Sequence, residues 1–222
     1  MTRKGTAEYY EWQRNNGCLA KYGERTDFET TYRLVRDVLP EGACILDLGC
    51  CTGSVAQYLF NNNVVWARYT GVDLSEQLIE AFKKRQIPRT EMHAGDVIQL
   101  EGIPDASFDV VLCLFLLQDL QRSEVEVLIR TIHNVLKPDG YLLLALTLAT
   151  TDSKDLGNSY KAKVLAEQGI PGKETFLWSK PHLQKVLQDC GFSIHRQAEI
   201  TAANGLLETY TLWKPEVTRH SS

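Results

Sequence analysis

Ala43-Cys44-Ile45-Leu46-Asp47-Leu48-Gly49-Cys50-Cys51-Thr52-Gly53-Ser54 decides the reading of this chain. An apolar run closes on an acid, Asp47, and breaks into a turn bracketed by Gly49 and Gly53, after which Val55, Ala56, Tyr58 and Leu59 carry helical spacing. Strand, tight turn and helix follow one another. In open α/β sheets such a turn lies at the carboxyl end of the first strand, where ligands bind.

Working outward, the pattern repeats. A second strand near Tyr69 to Leu74 ends in Gly71-Val72-Asp73-Leu74-Ser75, and Ser75 is placed to cap a helix with Leu78, Ile79 and Phe82 on one side and Pro88 at its close. A short third strand, Thr90 to Ala94, runs into Gly95-Asp96. The fourth, Phe108 to Phe115, is apolar on both faces apart from Asp109, as a parallel strand covered by helices should be. Ser123 and Glu126 have capping-box spacing for a helix running to Leu136, Lys137-Pro138-Asp139-Gly140 reads as a stop and turn, and Tyr141 to Leu148 as the fifth strand.

Residues 1–40 read as helices ahead of the sheet, the last one stopping at Pro40. Residues 149–178 are polar and broken by Gly157, Gly169, Pro171 and Gly172, with helical spacing near Lys161 to Gln168, and read as an insertion over the sheet edge. Ser179-Lys180-Pro181 opens a further helix that Gly191 ends, and Phe192 to Ile200 with Leu206 to Trp213 form a closing strand pair. The expected fold is α/β: one Rossmann-like three-layer sandwich over residues 1–222, with a seven-stranded, mostly parallel sheet and an antiparallel C-terminal hairpin.

Composition narrows the function. A net charge of -4 and a pI near 5.8 argue against nucleic acid as partner. The longest apolar runs, Val110 to Leu117 and Tyr141 to Leu146, are far short of the ~20 residues of a membrane span. The N-terminus has early positive charge and no apolar segment behind it, so the expected compartment is the cytoplasm. The six cysteines include no Cys-x-x-Cys pair and read as buried thiols rather than a disulfide framework or a zinc site.

Three acids stand at successive strand ends: Asp47, Asp73 and Asp96. One such acid is uninformative, because aspartate is common in turns for local reasons. Three in this order, behind a glycine turn, suggest a ligand with a ribose and no phosphate: Asp73, about 25 residues past the turn, is suited to ribose hydroxyls and Asp96 to an adenine amino group. A dinucleotide would call for G-x-G-x-x-G, but the aligned positions are Gly49, Cys51 and Ser54. The Tyr-x-x-x-Lys of short-chain reductases has one match, Tyr210 to Lys214, in a strand that would hold the two ~13 Å apart.

With these residues in view the chain resembles a class I S-adenosylmethionine-dependent methyltransferase of the small-molecule type. The resemblance rests on Asp47-Leu48-Gly49-x-x-x-Gly53, Val72-Asp73-Leu74-Ser75, Gly95-Asp96-Val97, Phe108-Asp109-Val110-Val111, Leu136-Lys137-Pro138-Asp139-Gly140 and, in the tail, Trp178, Leu183, Gly191 and Phe192. It implies that the turn from Asp47 through Gly49, Cys50 and Cys51 to Gly53 cradles the methionine end of the cofactor. It further implies Asp73 at the ribose, Leu74 on an adenine face, Asp96 and Val97 at the adenine edge, Leu114 and Phe115 beside the sulfonium, and Tyr22 as a lid aromatic. Two positions depart from the family: Cys51 replaces its usual middle glycine, and Leu117-Gln118-Asp119 stands where many members have Leu-Glu-His, so no histidine base is carried over.

The substrate candidates are Phe115, Gln118, Asp119, Glu174, Trp178 and His182, although Asp119 reads first as a solvated loop residue. His93 and His133 read as structural. The expected activity is methyl transfer to a small-molecule O, N or C atom, with the acceptor enclosed by residues 1–40 and 149–178. A protein or peptide methyltransferase is the alternative, as is a binding partner or sensor that keeps the cofactor site without catalysis.

Overall fold

The computed structural model describes residues 3–16, 26–148, 176, 178–201 and 207–215. Helices α1 (Arg3–Asn15) and α2 (Thr26–Val38) precede strand β1 (Ala43–Leu48). Then follow α3 (Ser54–Asn61), β2 (Trp66–Asp73), α4 (Glu76–Lys83), β3 (Thr90–Ala94), β4 (Phe108–Leu114), α5 (Arg122–Val135), β5 (Leu136–Leu148), α6 (Lys180–Asp189), β6 (Phe192–Thr201) and β7 (Leu207–Pro215). The strand order is β3-β2-β1-β4-β5-β7-β6. The first five are mutually parallel, and β7 runs antiparallel to both of its neighbours, β5 and β6. The order turns back on itself between β1 and β4, which makes their carboxyl ends the topological switch point where such sheets bind ligands.

Alternation along the central strands separates two cores. Ile45, Val110 and Leu112 face a cluster with Val35 of α2, Val55 and Leu59 of α3, and Ile79 and Phe82 of α4. Leu46, Leu48, Val111 and Cys113 face the other, with Leu128, Ile129 and Ile132 of α5 and Leu183 and Leu187 of α6. Both faces are covered, hence three layers and a strand sequence without polar gaps. Asp109, the polar exception in β4, is a structural clamp: it accepts from the Cys44 N–H at 2.8 Å and from Lys137 Nζ at 2.9 Å, tying β4 to β1 and β5. Against desolvation, which raises it, these partners hold its carboxyl below the usual range.

Ser75 caps α4 as expected, accepting from the Leu78 N–H at 3.2 Å. Other boundaries differ. The cap of α5 is at Gln121, whose N–H donates to Glu124 Oε2 at 2.9 Å; Ser123 and Glu126 already lie inside the helix. Lys137–Gly140 falls within β5 yet bulges from the ladder: Phe108 pairs with Leu136 and Val110 with Tyr141, so four residues stand opposite Asp109 alone, and a Cβ on Gly140 would meet the Phe108 carbonyl oxygen at 2.9 Å. Phe115 falls just past β4 with a φ of 56°. The helical spacing near 161–168 lies outside the described residues.

Candidate functional site

The turn between β1 and α3 is built by left-handed residues. Gly49 and Gly53 have φ of 73° and 75°, and a Cβ would meet Leu116 at 3.2 Å at the first and the Phe82 ring at 2.3 Å at the second. At Gly53 both conformation and space therefore demand glycine, while at Gly49 the conformation favours it and Leu116 would have to give way slightly. Cys51, between them, also has a positive φ, 53°, and carries a side chain there. Its N–H donates to Asp73 Oδ2 at 2.9 Å, so the turn is stitched to the end of β2. Arg85 Nε adds a second fastening, donating to the Thr52 carbonyl at 2.6 Å.

Asp73 accepts one backbone N–H at each oxygen, the second from Ser75 at 3.0 Å. A carboxylate offers about four acceptor positions, which leaves capacity at both oxygens for a vicinal diol. Burial nevertheless pushes its pKa up. Asp47 is 2% exposed and accepts from the Tyr69 hydroxyl at 2.5 Å; burial, aided by the charge of Asp73, raises it to about 7. Burial also pushes Cys50 upward and Cys51 to about 12, so both are thiols at neutral pH and neither is an activated nucleophile.

These groups border a cavity of about 210 Å³. Of the residues singled out in the sequence, Asp47, Gly49, Cys50, Cys51, Asp73, Leu74, Asp96, Val97, Leu114, Phe115 and Asp119 line it. Gly53 acts one step back by letting the chain turn against Phe82. Leu74 is 39% exposed, an apolar side chain presented at the cavity rather than to the core. Asp119 belongs to the cavity and is not merely a solvated loop residue, because the short 3-10 turn Leu117–Asp119 brings it back to the switch point.

Three substrate candidates are placed elsewhere. Gln118 does not line the cavity: its side-chain Oε1 accepts from the Thr147 N–H at 3.5 Å and its backbone carbonyl from the Phe176 N–H at 2.7 Å. Trp178, 1% exposed, belongs to the core beneath β5, with Arg122 over its ring, and His182 stacks edge-on against it from the exposed side of α6. Tyr22 and Glu174 lie outside the described residues. His93 and His133 sit on β3 and α5, away from this cavity.

Sequence reasoning missed Ala7, Tyr10, Thr31, Tyr32, Thr52, Ser54, Val55, Leu116 and Leu120, which also line the cavity. Four of the nine, Ala7, Tyr10, Thr31 and Tyr32, come from α1 and α2, whose placement no local motif announces. Tyr10 donates to Asp119 Oδ2 at 2.7 Å, and Glu11 accepts from Ser75 Oγ at 2.6 Å and Gln77 Nε2 at 3.0 Å. The first helix is thereby fastened to both sides of the site.

Residues 46–144 match the family model described as a methyltransferase domain. YqeM of Bacillus subtilis (strain 168), named as a methyltransferase, is 33% identical over 195 residues, 71% of this chain and 76% of its own. The chain belongs to the class I S-adenosylmethionine-dependent methyltransferases. The relative GWCH70_2453 of Geobacillus sp. (strain WCH70) is 34% identical over 142 residues, 61% of this methyltransferase and about half, 52%, of that relative's length. Among solved structures, the Burkholderia thailandensis 1,6-didemethyltoxoflavin-N1-methyltransferase, with bound 1,6-didemethyltoxoflavin and S-adenosylhomocysteine, superposes with a TM-score of 0.75 at 18% identity, covering 96% of this chain and 88% of the other.

S-adenosylmethionine is the cofactor of this methyltransferase. The donor set fits it: spare acceptor capacity on both Asp73 oxygens suits a ribose diol, exposed Leu74 offers an apolar plate, and the glycine turn leaves room where side chains would intrude. Among the described lining residues there are four aspartates and no lysine, arginine or histidine, a balance suited to a ligand with sulfonium and ammonium charges. Among the described residues, no helix is long and apolar enough to cross a membrane.

Proposed function

We propose that this methyltransferase acts on a small-molecule acceptor, within one domain in which residues 1–40 form a lid and residues 149–178 cover the acceptor. The observation that carries the proposal is the position of α1: Tyr10 and Ala7 line the cavity, and the Tyr10–Asp119 and Glu11–Ser75 hydrogen bonds hold the helix across it. Such a roof favours an enclosed acceptor over a segment of a folded protein.

In this reading the turn from Asp47 to Gly53 holds the methionine end, Asp73 the ribose, Leu74 an adenine face and Asp96 with Val97 the adenine edge. Leu114 and Phe115 stand beside the reacting sulfur. When bound, the cofactor supplies a methyl group on a positively charged sulfur, already a strong electrophile. The protein's share is to align the acceptor and exclude water, and positioning of that kind is worth up to ~7–11 kcal/mol. The apolar Leu114, Phe115, Leu116 and Leu120 serve the exclusion. A sensor without catalysis has less support, because Cys51 does not break the turn: it keeps the left-handed geometry and the bond to Asp73.

The test is S-adenosylhomocysteine release from the purified chain, given the cofactor and pools of small molecules, peptides or folded proteins. Release with small molecules is expected. Release with proteins alone overturns the reading, and tight cofactor binding without release from any pool supports the sensor.

A further inference from the structure

The turn from Gly49 to Gly53 is gripped from outside by the C-terminal end of α4. The Phe82 ring lies against Gly53, where an added Cβ would stand 2.3 Å from it. Three residues on, Arg85 is set just past the helix, its backbone N–H donating to the Phe82 carbonyl at 2.9 Å. Its guanidinium reaches back to the same turn. Nε donates to the Thr52 carbonyl at 2.6 Å, and two longer contacts, each 3.5 Å, run from Nη2 to Thr52 Oγ1 and from Nη1 to Gln57 Oε1. All of these acceptors are neutral, so the bonds set a permanent positive charge behind Thr52 without cancelling it. Thr52 lines the cavity and Arg85 does not, which puts the arginine one layer back. Its charge still reaches the wall: burial pushes the Tyr32 hydroxyl up to about 12, and among the smaller influences Asp47 adds to the rise while Arg85 opposes it. Just past Thr52, α3 opens at Ser54, and the N-terminal end of a helix carries positive potential too.

Resting on the reading above that this turn holds the methionine end of the cofactor, we propose that Arg85 is a positioning residue which, acting through Thr52, makes the site selective for the carboxylate of that amino-acid group. The methionine end carries an ammonium and a carboxylate. The lining aspartates suit the first, whereas the second calls for positive potential, which Arg85 and the start of α3 supply from one side of the turn. A guanidinium also does what a point charge cannot: its planar fork reaches the carbonyl and the hydroxyl of Thr52 together. Holding that carbonyl oxygen toward Arg85 occupies the one backbone group of Thr52 that would repel a carboxylate. The arginine therefore fixes the shape of the turn and sets the sign of its field.

Two probes separate the amino-acid end from the nucleoside: S-adenosylhomocysteine, and 5′-methylthioadenosine, which keeps the adenine, the ribose and the sulfur but lacks the amino-acid group. Each is titrated calorimetrically into the purified chain. The parent is expected to bind S-adenosylhomocysteine more tightly by about tenfold or more. Arg85→Met, which keeps the stem but neither the charge nor the donors, should weaken S-adenosylhomocysteine by about tenfold and leave 5′-methylthioadenosine within about twofold. Arg85→Lys keeps the charge and should recover part of the loss, more of it at low salt than at high. An equal loss for both ligands would reveal a merely structural role and overturn the proposal, as would undiminished S-adenosylhomocysteine binding by Arg85→Met. Equal binding of the two ligands by the parent is a different failure, since it removes the assignment of the turn to the methionine end and the proposal with it.

Discussion

The backbone N–H of Cys51 donates to Oδ2 of Asp73 at 2.9 Å, joining the turn after the first strand to the end of the second. Asp73 thus has two duties, shaping the turn and presenting acceptors to the cavity. Asp73→Ala removes both. With charge-assisted hydrogen bonds worth ~1.5–3 kcal/mol each, S-adenosylhomocysteine affinity should fall by about 100-fold or more. Calorimetry showing an unchanged dissociation constant would sink the ribose assignment.

Cys51 bears a side chain in a left-handed conformation, which costs an L-residue about 1–2 kcal/mol. Cys51→Gly should therefore raise the unfolding free energy by about 1 kcal/mol once the entropy of glycine is offset, read as a higher denaturant midpoint, with cofactor binding retained. Cys51→Val, β-branched, should destabilise. A glycine variant less stable than the parent would show that the thiol's packing outweighs the strain.

At Gly53 an added methyl would stand 2.3 Å from the Phe82 ring, on a backbone of φ 75°. Gly53→Ala should cost roughly 2–4 kcal/mol, combining overpacking with conformational strain. Shrinking the ring should recover part of this, so Gly53→Ala with Phe82→Leu should lose less than the sum of the single variants. Strict additivity in that cycle would mean that the two positions do not meet.

Asp47 titrates near pH 7 because it is buried and lies near Asp73, with the Tyr69 hydroxyl opposing the shift. Its folded pKa exceeds the ordinary carboxyl value of 3.8, so the folded cofactor-free chain binds more protons than the unfolded one. This group's contribution to stability is complete below pH 4 or so and is lost as the pH rises toward about 7. An ammonium nearby favours the ionised form, so S-adenosylhomocysteine should bind more weakly as the pH falls through 7. Tyr69→Phe should move that inflection upward; a flat binding profile from pH 5 to 8 would contradict the placement of the ammonium near Asp47.

Sequence alone determined the frame and the strand-end acids and glycine turn that border the cavity. Alternation in Ile45 to Leu48 and Val110 to Cys113 specifies strands buried on both faces, and the acids Asp47, Asp73 and Asp96 stand at or just after strand ends that local patterning locates. The glycines at 49 and 53 were legible for the same reason, since backbone geometry within a few residues dictates them. Periodicity could not place the start of β5, because the approach of Gly140 to Phe108 is a contact between strands, nor the cap of α5, because Gln121 and Ser123 offer competing starts.

The rest of the cavity wall was decided by tertiary structure. Trp178 carried a motif yet went to the core, where its large apolar ring is best buried, while Asp119, bland in sequence, was drawn to the cavity by a 3-10 turn and the hydroxyl of Tyr10. Contacts between residues 109 positions apart leave no local pattern to read. They exist because α1 is seated across the ends of β2 and β4, and only the folded sheet brings those ends together.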